Sequence, residues 1–284
     1  MTKERKKVFT IIDVKHTTQE QKQNTIDYSI NLAKVTARDL VFYFLGKTDE
    51  IFDSKFASMV DVSNDSISAI QAIKCHNYDI KISFNREETS WFQSINDIVV
   101  KENAAFILMG INPEKRSFFQ KVFGKTMWSI ATTSNIPVIL IPPIAKFSYF
   151  EEITIAADDE NKIQKLKWVK KIHQKFATKV HVFVKNTGQI EIDSRSSTVL
   201  NNMAKILSHE GIKYEIVYAR DITDFENNLL RYAAQNSQLL IIEVDEGMIE
   251  HSIKKNIQKL LFSNKQQFAV MLVKTKIMGD LRWF

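Results

Sequence analysis

Apolar and polar residues along the chain form two kinds of segment that alternate. Short β-rich apolar runs lie near 8–12, 39–45, 78–84, 104–109 and 137–141, and again near 152–157, 179–184, 213–219, 238–243 and 267–273. Patterns with helical spacing lie near 18–36, 59–76, 87–101 and 122–134, and again near 160–176, 195–209, 222–236 and 249–262. Ten strands that alternate with helices predict an α/β fold with parallel sheets covered on both faces.

The second series of elements repeats the first. Three pairs of strand segments match: 9–13 with 153–158, 105–109 with 238–242, and 137–141 with 268–273. A length of 284 residues also corresponds to about two domains. We interpret the chain as a duplicated domain, with boundaries 1–145 and 146–284 and a junction near 142–149. The alternative is that any two βα domains look alike at this level of comparison.

The segment 104–143 contains the main candidate site. Its apolar run ends at Gly110, a basic loop follows, and Gly124 precedes a second helical pattern. Such an arrangement is suited to phosphate, because backbone N–H groups point out of a helix N-terminus and glycine lets the backbone approach an anion closely. The segment therefore indicates descent from a nucleotide-binding protein. The spacing does not fit a P-loop, since Phe119 stands where that motif needs a glycine.

These features resemble the universal stress protein family. The likeness lies in a first strand that ends in Asp13, a fourth strand that ends in Met109 and Gly110, and a helix that leads into the closing strand 136–141. It covers both halves of the chain. The resemblance implies two tandem five-stranded parallel-sheet α/β domains of the universal stress protein type, with the adenine nucleotide α-hydrolase-like fold.

The resemblance also implies an adenine nucleotide site, for ATP or AMP, in the first domain. By it, Asp13 faces the ribose and Leu45 lies at the edge of the adenine. The predicted phosphate turn consists of Met109, Gly110, Gly124, Lys125 and Thr126. Independently of any ligand, Asp13 could instead cap a helix or be solvated, and Gly110 could simply form a tight exit from the strand.

The phosphate loop departs from the pattern of nucleotide-binding members. Pro113 stands at the second glycine and Lys125 at the hydroxyl position. Proline has no N–H group, so one donor to phosphate is lost. Lys115, Arg116 and Lys125 partly offset the loss with positive charge. We expect weak binding in the first domain.

The second domain lacks the motif. Its fourth strand is followed by Glu243, Asp245 and Glu246, and three carboxylates at a phosphate pocket would repel a nucleotide. We predict that this half binds no nucleotide and serves as a structural or pairing partner.

Composition narrows the class of protein. Cys75 is the single cysteine, which excludes an intrachain disulfide and favours a reducing compartment. No apolar run reaches the length of a signal peptide core or a membrane span, so we expect a cytoplasmic protein without a membrane partner. The net charge is +6, with lysine clusters at 165–171 and 254–259. We interpret these as solvated helix faces and expect no nucleic-acid partner, because aromatics interleaved for base stacking are not evident.

The sequence shows no arrangement of residues typical of a catalytic site. Its six histidines have no metal-ligand spacing, and no Gly-x-Ser-x-Gly elbow is present.

Three hypotheses for the function follow. The leading hypothesis is a stress-response or regulatory protein that binds an adenine nucleotide weakly and forms a homodimer or an intrachain pseudo-dimer. The second is an interaction or dimerisation module that binds no nucleotide and associates through its closing strands. The third is a slow ATP hydrolase.

Overall fold

A computed structural model describes residues 5–13, 18–45, 80–87, 95–111, 130–131, 136–157, 164–184, 194–219, 225–244 and 267–274. The first half contains β1 (Lys7–Asp13), α1 (Gln19–Thr36), β2 (Asp39–Leu45), β3 (Ile82–Glu87), α2 (Ile95–Lys101), β4 (Ala104–Gly110) and β5 (Val138–Ile141). The second contains β6 (Glu152–Ala157), α3 (Gln164–Phe176), β7 (Lys179–Val184), α4 (Ser194–His209), β8 (Tyr214–Tyr218), α5 (Phe225–Asn236), β9 (Leu239–Val244) and β10 (Ala269–Lys274).

Each of the ten predicted strands has a counterpart, with boundaries that shift by a few residues. The predicted helices near 59–76 and 249–262 lie outside the described residues. Of the predicted helix near 122–134, only Ile130 and Ala131 are described, and both are buried. Among the helices that the structure describes, none is long and apolar enough to cross a lipid bilayer.

All ten strands belong to one sheet, in the order β3-β2-β1-β4-β5-β10-β9-β6-β7-β8. This corrects the expectation of two separate five-stranded sheets. Every neighbouring pair is parallel except β5 and β10, which are antiparallel. The strand order within the first half is repeated in the second, and the two half-sheets meet edge to edge.

The junction between the halves is short and fully apolar. Ile139 of β5 lies opposite Met271 of β10, with Val138 opposite Leu272 and Leu140 opposite Val270. All six side chains are completely buried. Each closing strand would otherwise present an unpaired apolar edge, and pairing the two edges removes that liability. Because the junction is antiparallel, the strands of the two halves run in opposite directions. Their carboxyl ends therefore lie on opposite sides of the molecule.

Helices cover both faces of this sheet. Buried residues of α1, α3 and α4 pack with Ile139 and Ile141 on one face. Buried residues of α2 and α5 pack with Val138 and Leu140 on the other face. Successive strand residues point to opposite faces, so alternate side chains of β5 belong to the hydrophobic cores on the two faces of the sheet.

In the first strand of each half, the structural equivalence of residues differs by one position from the equivalence that the sequence match gives. Thr10 Oγ1 donates to Ser29 Oγ of α1 at 2.8 Å, whereas Thr154 Oγ1 lies 2.6 Å from Ser237 Oγ, just beyond α5. The two threonines that the sequence aligns therefore point to opposite faces of the sheet. A one-residue slip in a strand always reverses the face, which a match of residue types alone does not reveal.

Candidate functional site

Three strands of the first half end side by side at its carboxyl edge. Asp13 is paired with Leu45 across β1 and β2, and Ile11 of β1 is paired with Met109 of β4. The backbone positions of Asp13, Leu45 and Gly110 thus lie at one edge, where the strand order reverses between β1 and β4. In open α/β sheets this is where ligands bind. The other predicted phosphate residues, Gly124, Lys125 and Thr126, lie outside the described residues, as do Pro113, Lys115 and Arg116.

Gly110 is in close contact with α1. A Cβ atom added at Gly110 would lie 2.3 Å from Oγ1 of Thr25 and 3.4 Å from its Cβ. Heavy atoms do not approach so closely, so a side chain at this position would force the Thr25 side chain or α1 to shift. Helix packing therefore favours glycine here, whether or not a phosphate binds beside it.

The side chain of Met109 belongs to the core. It is 2 % exposed and packs on the face covered by α2 and α5. At this position only the backbone could contact a ligand. The next N–H group, of Ile111, donates to the carbonyl of Ile141 at 2.9 Å and continues the pairing with β5. Backbone donors for phosphate would therefore have to come from residues beyond 111.

Helix α1 begins beside the same edge with a capping box. Thr18 is its N-cap, its Oγ1 accepts from the N–H of Gln21, and the Gln21 side chain accepts from the N–H of Thr18. The interpretation of Asp13 as a helix cap was wrong, because the hydroxyl of Thr18 performs that role. The positive end of the α1 dipole therefore lies near the carboxyl end of β1, where Asp13 is the last residue.

A seam of buried hydroxyl groups fixes α1 on the sheet. Thr25 Oγ1 donates to the carbonyl of Gln21 at 2.9 Å, Ser29 Oγ donates to the carbonyl of Thr25 at 2.7 Å, and Thr10 Oγ1 donates to Ser29. Thr10 and Ser29 are completely buried. The seam sets the position of the helix relative to β1 and β4, because each buried hydroxyl loses its partner if α1 slides.

The linker between the halves is tied to the same helix. The side-chain amide of Asn24 donates to the carbonyls of Pro142, Pro143 and Ala145 at 3.0–3.3 Å. One α1 side chain thus satisfies three carbonyls of the segment that leaves β5.

In the second half, Glu243 occupies the place of Gly110. Gly110 is paired with Ile141 of the closing strand β5, and Glu243 is paired with Val273 of the closing strand β10. Glu243 is 2 % exposed, and its Oε2 accepts from the backbone N–H of Lys165 at 3.2 Å. Lys165 is the second residue of α3, so the carboxylate lies at the positive end of a helix dipole.

For Glu243, this position corrects the expectation that its carboxylate is directed at a phosphate pocket. Its carboxylate is turned inward to the start of α3, while Asp245 and Glu246 lie outside the described residues. In the second half, the N-terminus of α3 is thus already contacted by the carboxylate of Glu243.

A buried histidine lies near the amino ends of β6, β7 and β8. His181 is 3 % exposed, and its Nδ1 is 2.9 Å from the hydroxyl of Tyr232 on α5. The carboxylates of Glu152 and Glu215 lie 3.7 and 3.8 Å from its ring nitrogens. Burial, and then the charge of Lys179, lower the pKa of His181, against the opposing effect of the two carboxylates. The sequence pattern does not single out His181, because none of the six histidines has metal-ligand spacing.

Within the described residues, no cluster of three or more His, Cys, Asp or Glu side chains could hold a metal ion.

Comparison with known proteins shows a likeness of fold. No model of a protein family matches the sequence, and no curated protein sequence matches it. A universal stress protein from Archaeoglobus fulgidus superposes with a TM-score of 0.62 and 16 % identity, covering 94 % of this chain and 96 % of that one. A Pseudomonas aeruginosa protein assigned to the universal stress proteins gives 0.58 and 13 %, covering 95 % and 93 %.

A third solved structure with a similar fold has a different description. The cytoplasmic domain of a prokaryotic cation chloride cotransporter superposes with a TM-score of 0.57 and 9 % identity, covering 95 % of this chain and 96 % of that one. The chain therefore has the α/β fold, with its mostly parallel sheet, that is found in universal stress proteins. Since the same fold also occurs in a transporter domain, the function must be argued from the sites of this chain.

Proposed function

We propose that the chain is a tandem protein of the universal stress protein type, with a stress-response or regulatory role, whose first half binds an adenine nucleotide weakly and whose second half does not. One observation carries the proposal. At equivalent ends of the fourth strands, the first half has Gly110 and no side chain, whereas the second half has the buried carboxylate of Glu243. The carboxylate of Glu243 lies at the positive N-terminus of α3 and would repel a phosphate there, whereas Gly110 brings no such charge to the first half.

The proposed nucleotide lies across the carboxyl ends of β2, β1 and β4. Asp13 accepts a hydrogen bond from a ribose hydroxyl, and the adenine lies near Leu45. Because the N–H of Ile111 is already bonded to Ile141, the phosphates take their donors from the following loop, where Lys115, Arg116 and Lys125 supply positive charge. Loss of the donor at Pro113 accounts for the expected weakness of binding.

We also propose that the two domains, 1–145 and 146–284, form an intrachain pseudo-dimer. The antiparallel pairing of β5 with β10 supports this arrangement, since it joins the closing strands of the two halves. Association of two chains through these strands would require them to separate first. The location of the protein in the cytoplasm stays a prediction.

An interaction module without a ligand is the second candidate. The observation in its favour is the packing reason for Gly110, which needs no phosphate to explain a glycine at that position. The fold shared with a cotransporter's cytoplasmic domain is compatible with this alternative. No observation favours the slow ATP hydrolase.

A thermal-shift titration separates the two candidates. ATP, ADP and AMP, each with and without magnesium, should raise the melting temperature of the protein in a concentration-dependent way, because a ligand selective for the folded state stabilises it. The Asp13→Ala variant should lose most of this increase. Asp39→Ala is the matched control, since Asp39 begins β2 at the opposite edge of the sheet. No increase at millimolar nucleotide would favour the interaction module, and an equal increase in the Asp13 variant would assign the nucleotide to a different site.

A further inference from the structure

A cavity of about 440 Å³ lies between the two halves, on the sheet face covered by α1 and α3. Its floor consists of β4, the residues before and within β5, and the end of β10. It is formed jointly by both halves and does not include Asp13, Leu45 or Gly110. The volume is in the range of small-molecule sites.

The charged residues of this cavity all have the same sign. Six cationic side chains line it: Lys6, Arg38, Lys167, Lys171, Lys175 and Lys274. No aspartate or glutamate is among the described residues that line it. We call these six residues the cationic cluster. A cleft lined by charges of one sign raises the local concentration of ions of the opposite sign.

Three lysines elsewhere in the structure are paired with carboxylates, whereas, among the described residues, four lysines of the cluster are not. Lys7 pairs with Glu102, Lys179 with Glu215, and Lys170 with Glu210. Lys170 is on the same helix as Lys171 but belongs to a different face. Within the described part of the chain, Lys6, Lys167, Lys171 and Lys175 have no carboxylate within ion-pair distance.

The electrostatic cost of the cluster is visible at Lys171. Its pKa is lowered first by partial burial and then by the charges of Lys167, Lys6 and Arg38. Burial also lowers the pKa of Arg38. These cations therefore repel one another in the absence of an anion.

Aromatic rings hold two of the cations in place. The guanidinium of Arg38 lies over the ring of Phe106 at 5.6 Å, and the ammonium of Lys171 lies over the ring of Trp168 at 4.2 Å. The two rings contact each other, with centroids 5.6 Å apart. The Nε of Arg38 is buried and, among the described residues, has no hydrogen-bond partner. A buried donor of this kind is costly unless a ligand accepts from it.

Trp168 also changes the interpretation of the lysine cluster at 165–171. The helical spacing predicts a solvated lysine face at 165–171, without aromatics interleaved for base stacking. In the structure the indole lies in the cavity wall under one of the lysines. Because Lys171 covers this ring and Phe106 is buried, the rings act as supports for cations rather than as stacking surfaces for a base.

We propose that this cavity is a binding site for a small oligophosphate anion, such as inorganic triphosphate or the polyphosphate chain of a nucleotide. Arg38 and Lys171, which lie over aromatic rings, are the central contacts, and the other lysines of the cluster add positive charge around them. The hydroxyl of Thr36 and the amide of Gln174, which also line the cavity, can donate further hydrogen bonds to phosphate oxygens. This site is separate from the nucleotide site proposed at the carboxyl edge of the first half.

Isothermal titration calorimetry with inorganic triphosphate tests the proposal directly. The wild-type protein should bind triphosphate at moderate salt, and orthophosphate much more weakly, because multiple charges are needed to engage the cluster. The Arg38→Gln/Lys171→Gln double variant should lose about tenfold or more in affinity, since charge-assisted hydrogen bonds are lost. Lys170→Gln is the matched control on the same helix and should bind triphosphate as the wild type does.

Two single variants keep the proposal testable if the double variant does not fold. Lys167→Gln and Lys175→Gln change exposed side chains and should each weaken triphosphate binding by several-fold while the melting temperature is retained. Absence of binding at millimolar triphosphate, undiminished binding by the double variant, or an equal loss in Lys170→Gln would overturn the proposal. Binding of a single-stranded RNA more tightly than triphosphate, with the same dependence on Arg38 and Lys171, would also overturn it.

Comparing ATP with inorganic triphosphate identifies the source of the anion and separates this site from the first one. If the cavity recognises phosphate alone, ATP and triphosphate should compete for it. Lys125→Gln, which removes a proposed phosphate contact of the first site, should leave triphosphate binding unchanged. If triphosphate binding instead falls with Lys125→Gln and not with the double variant, the anion binds at the carboxyl ends of the first-half strands and the cavity proposal fails.

Discussion

Gly110 and Thr25 are packed so closely that a single added carbon at residue 110 would lie 2.3 Å from the threonine hydroxyl oxygen. That oxygen is itself bonded to the carbonyl of Gln21. The contact joins the end of β4 to α1, the helix that begins beside the proposed nucleotide site. The most conspicuous glycine of the sequence motif is therefore a packing residue first.

We predict that Gly110→Ala lowers the free energy of unfolding by about 1–3 kcal/mol, because the new methyl group overpacks the contact with α1. Urea denaturation measures the loss. Adding Thr25→Ala should recover much of it by removing the obstructing oxygen, whereas adding Thr25→Val should not, since valine keeps the bulk. If Gly110→Ala is as stable as the wild type, or if the two Thr25 variants give the same result, the packing explanation fails.

Glu243 should stabilise the second half through the start of α3. Replacing it with alanine removes the acceptor from the N–H of Lys165 and should cost about 1.5–3 kcal/mol. Glu243→Gln keeps an acceptor oxygen and should cost less. Urea unfolding curves of the two variants decide the matter. Equal losses for both would mean that charge, and not the hydrogen bond, is what Glu243 contributes.

His181 should make the protein less stable as the pH falls below neutral. Its folded pKa is lowered by burial and by Lys179, so the unfolded chain takes up a proton more readily than the folded one. Stability from this group is present above about pH 6.5, the unfolded value, and is lost as the pH falls toward the folded pKa. The groups that face the ring are Glu152, Glu215, Lys179 and Tyr232.

Unfolding free energies at pH 7.5 and 5.5 measure this effect. The decrease between the two values should be smaller in His181→Gln than in the wild type. His209→Gln removes an imidazole that is 86 % exposed and serves as the control. An unchanged decrease in His181→Gln would show that the neighbouring carboxylates hold the ring charged in the folded state.

Separating the halves should uncover the edges of β5 and β10. The fragment 1–145 would expose a strand whose four residues are all apolar, and such edges recruit other strands. We predict concentration-dependent self-association of each fragment by light scattering, and a 1:1 complex when the two are mixed. If both fragments are monomeric and form no complex when mixed, pairing of β5 with β10 does not hold the halves together.

The sequence predicted the elements better than their arrangement. Apolar runs such as Ala104–Gly110 identify strands because a parallel sheet buries both faces of each strand. The pairing of Ile139 with Met271 was not predictable, because which edges meet depends on residues that are far apart in the chain. Likewise, the match of Thr10 with Thr154 ignored the strand period of two, which decides the face.

The same limit applied to the sites. Glu243 read as a loop carboxylate, since nothing local in the sequence indicates that the start of α3 lies above the end of β9. The cationic cluster combines residues from 6 to 274, so only the fold brings its members together. Asp13 and Gly110 were easier to place, because the carboxyl ends of neighbouring parallel strands always share one edge.

Photolabelling with 8-azido-ATP, followed by mass spectrometry of the peptides, tests the central claim most directly. Label should appear on segments that directly follow Asp13, Leu45 or Gly110 in the first half, and excess ATP should prevent it. Label on the segments that follow Ala157 or Val244 in the second half, or no label that ATP displaces, would contradict the assignment of the adenine nucleotide site to the first half.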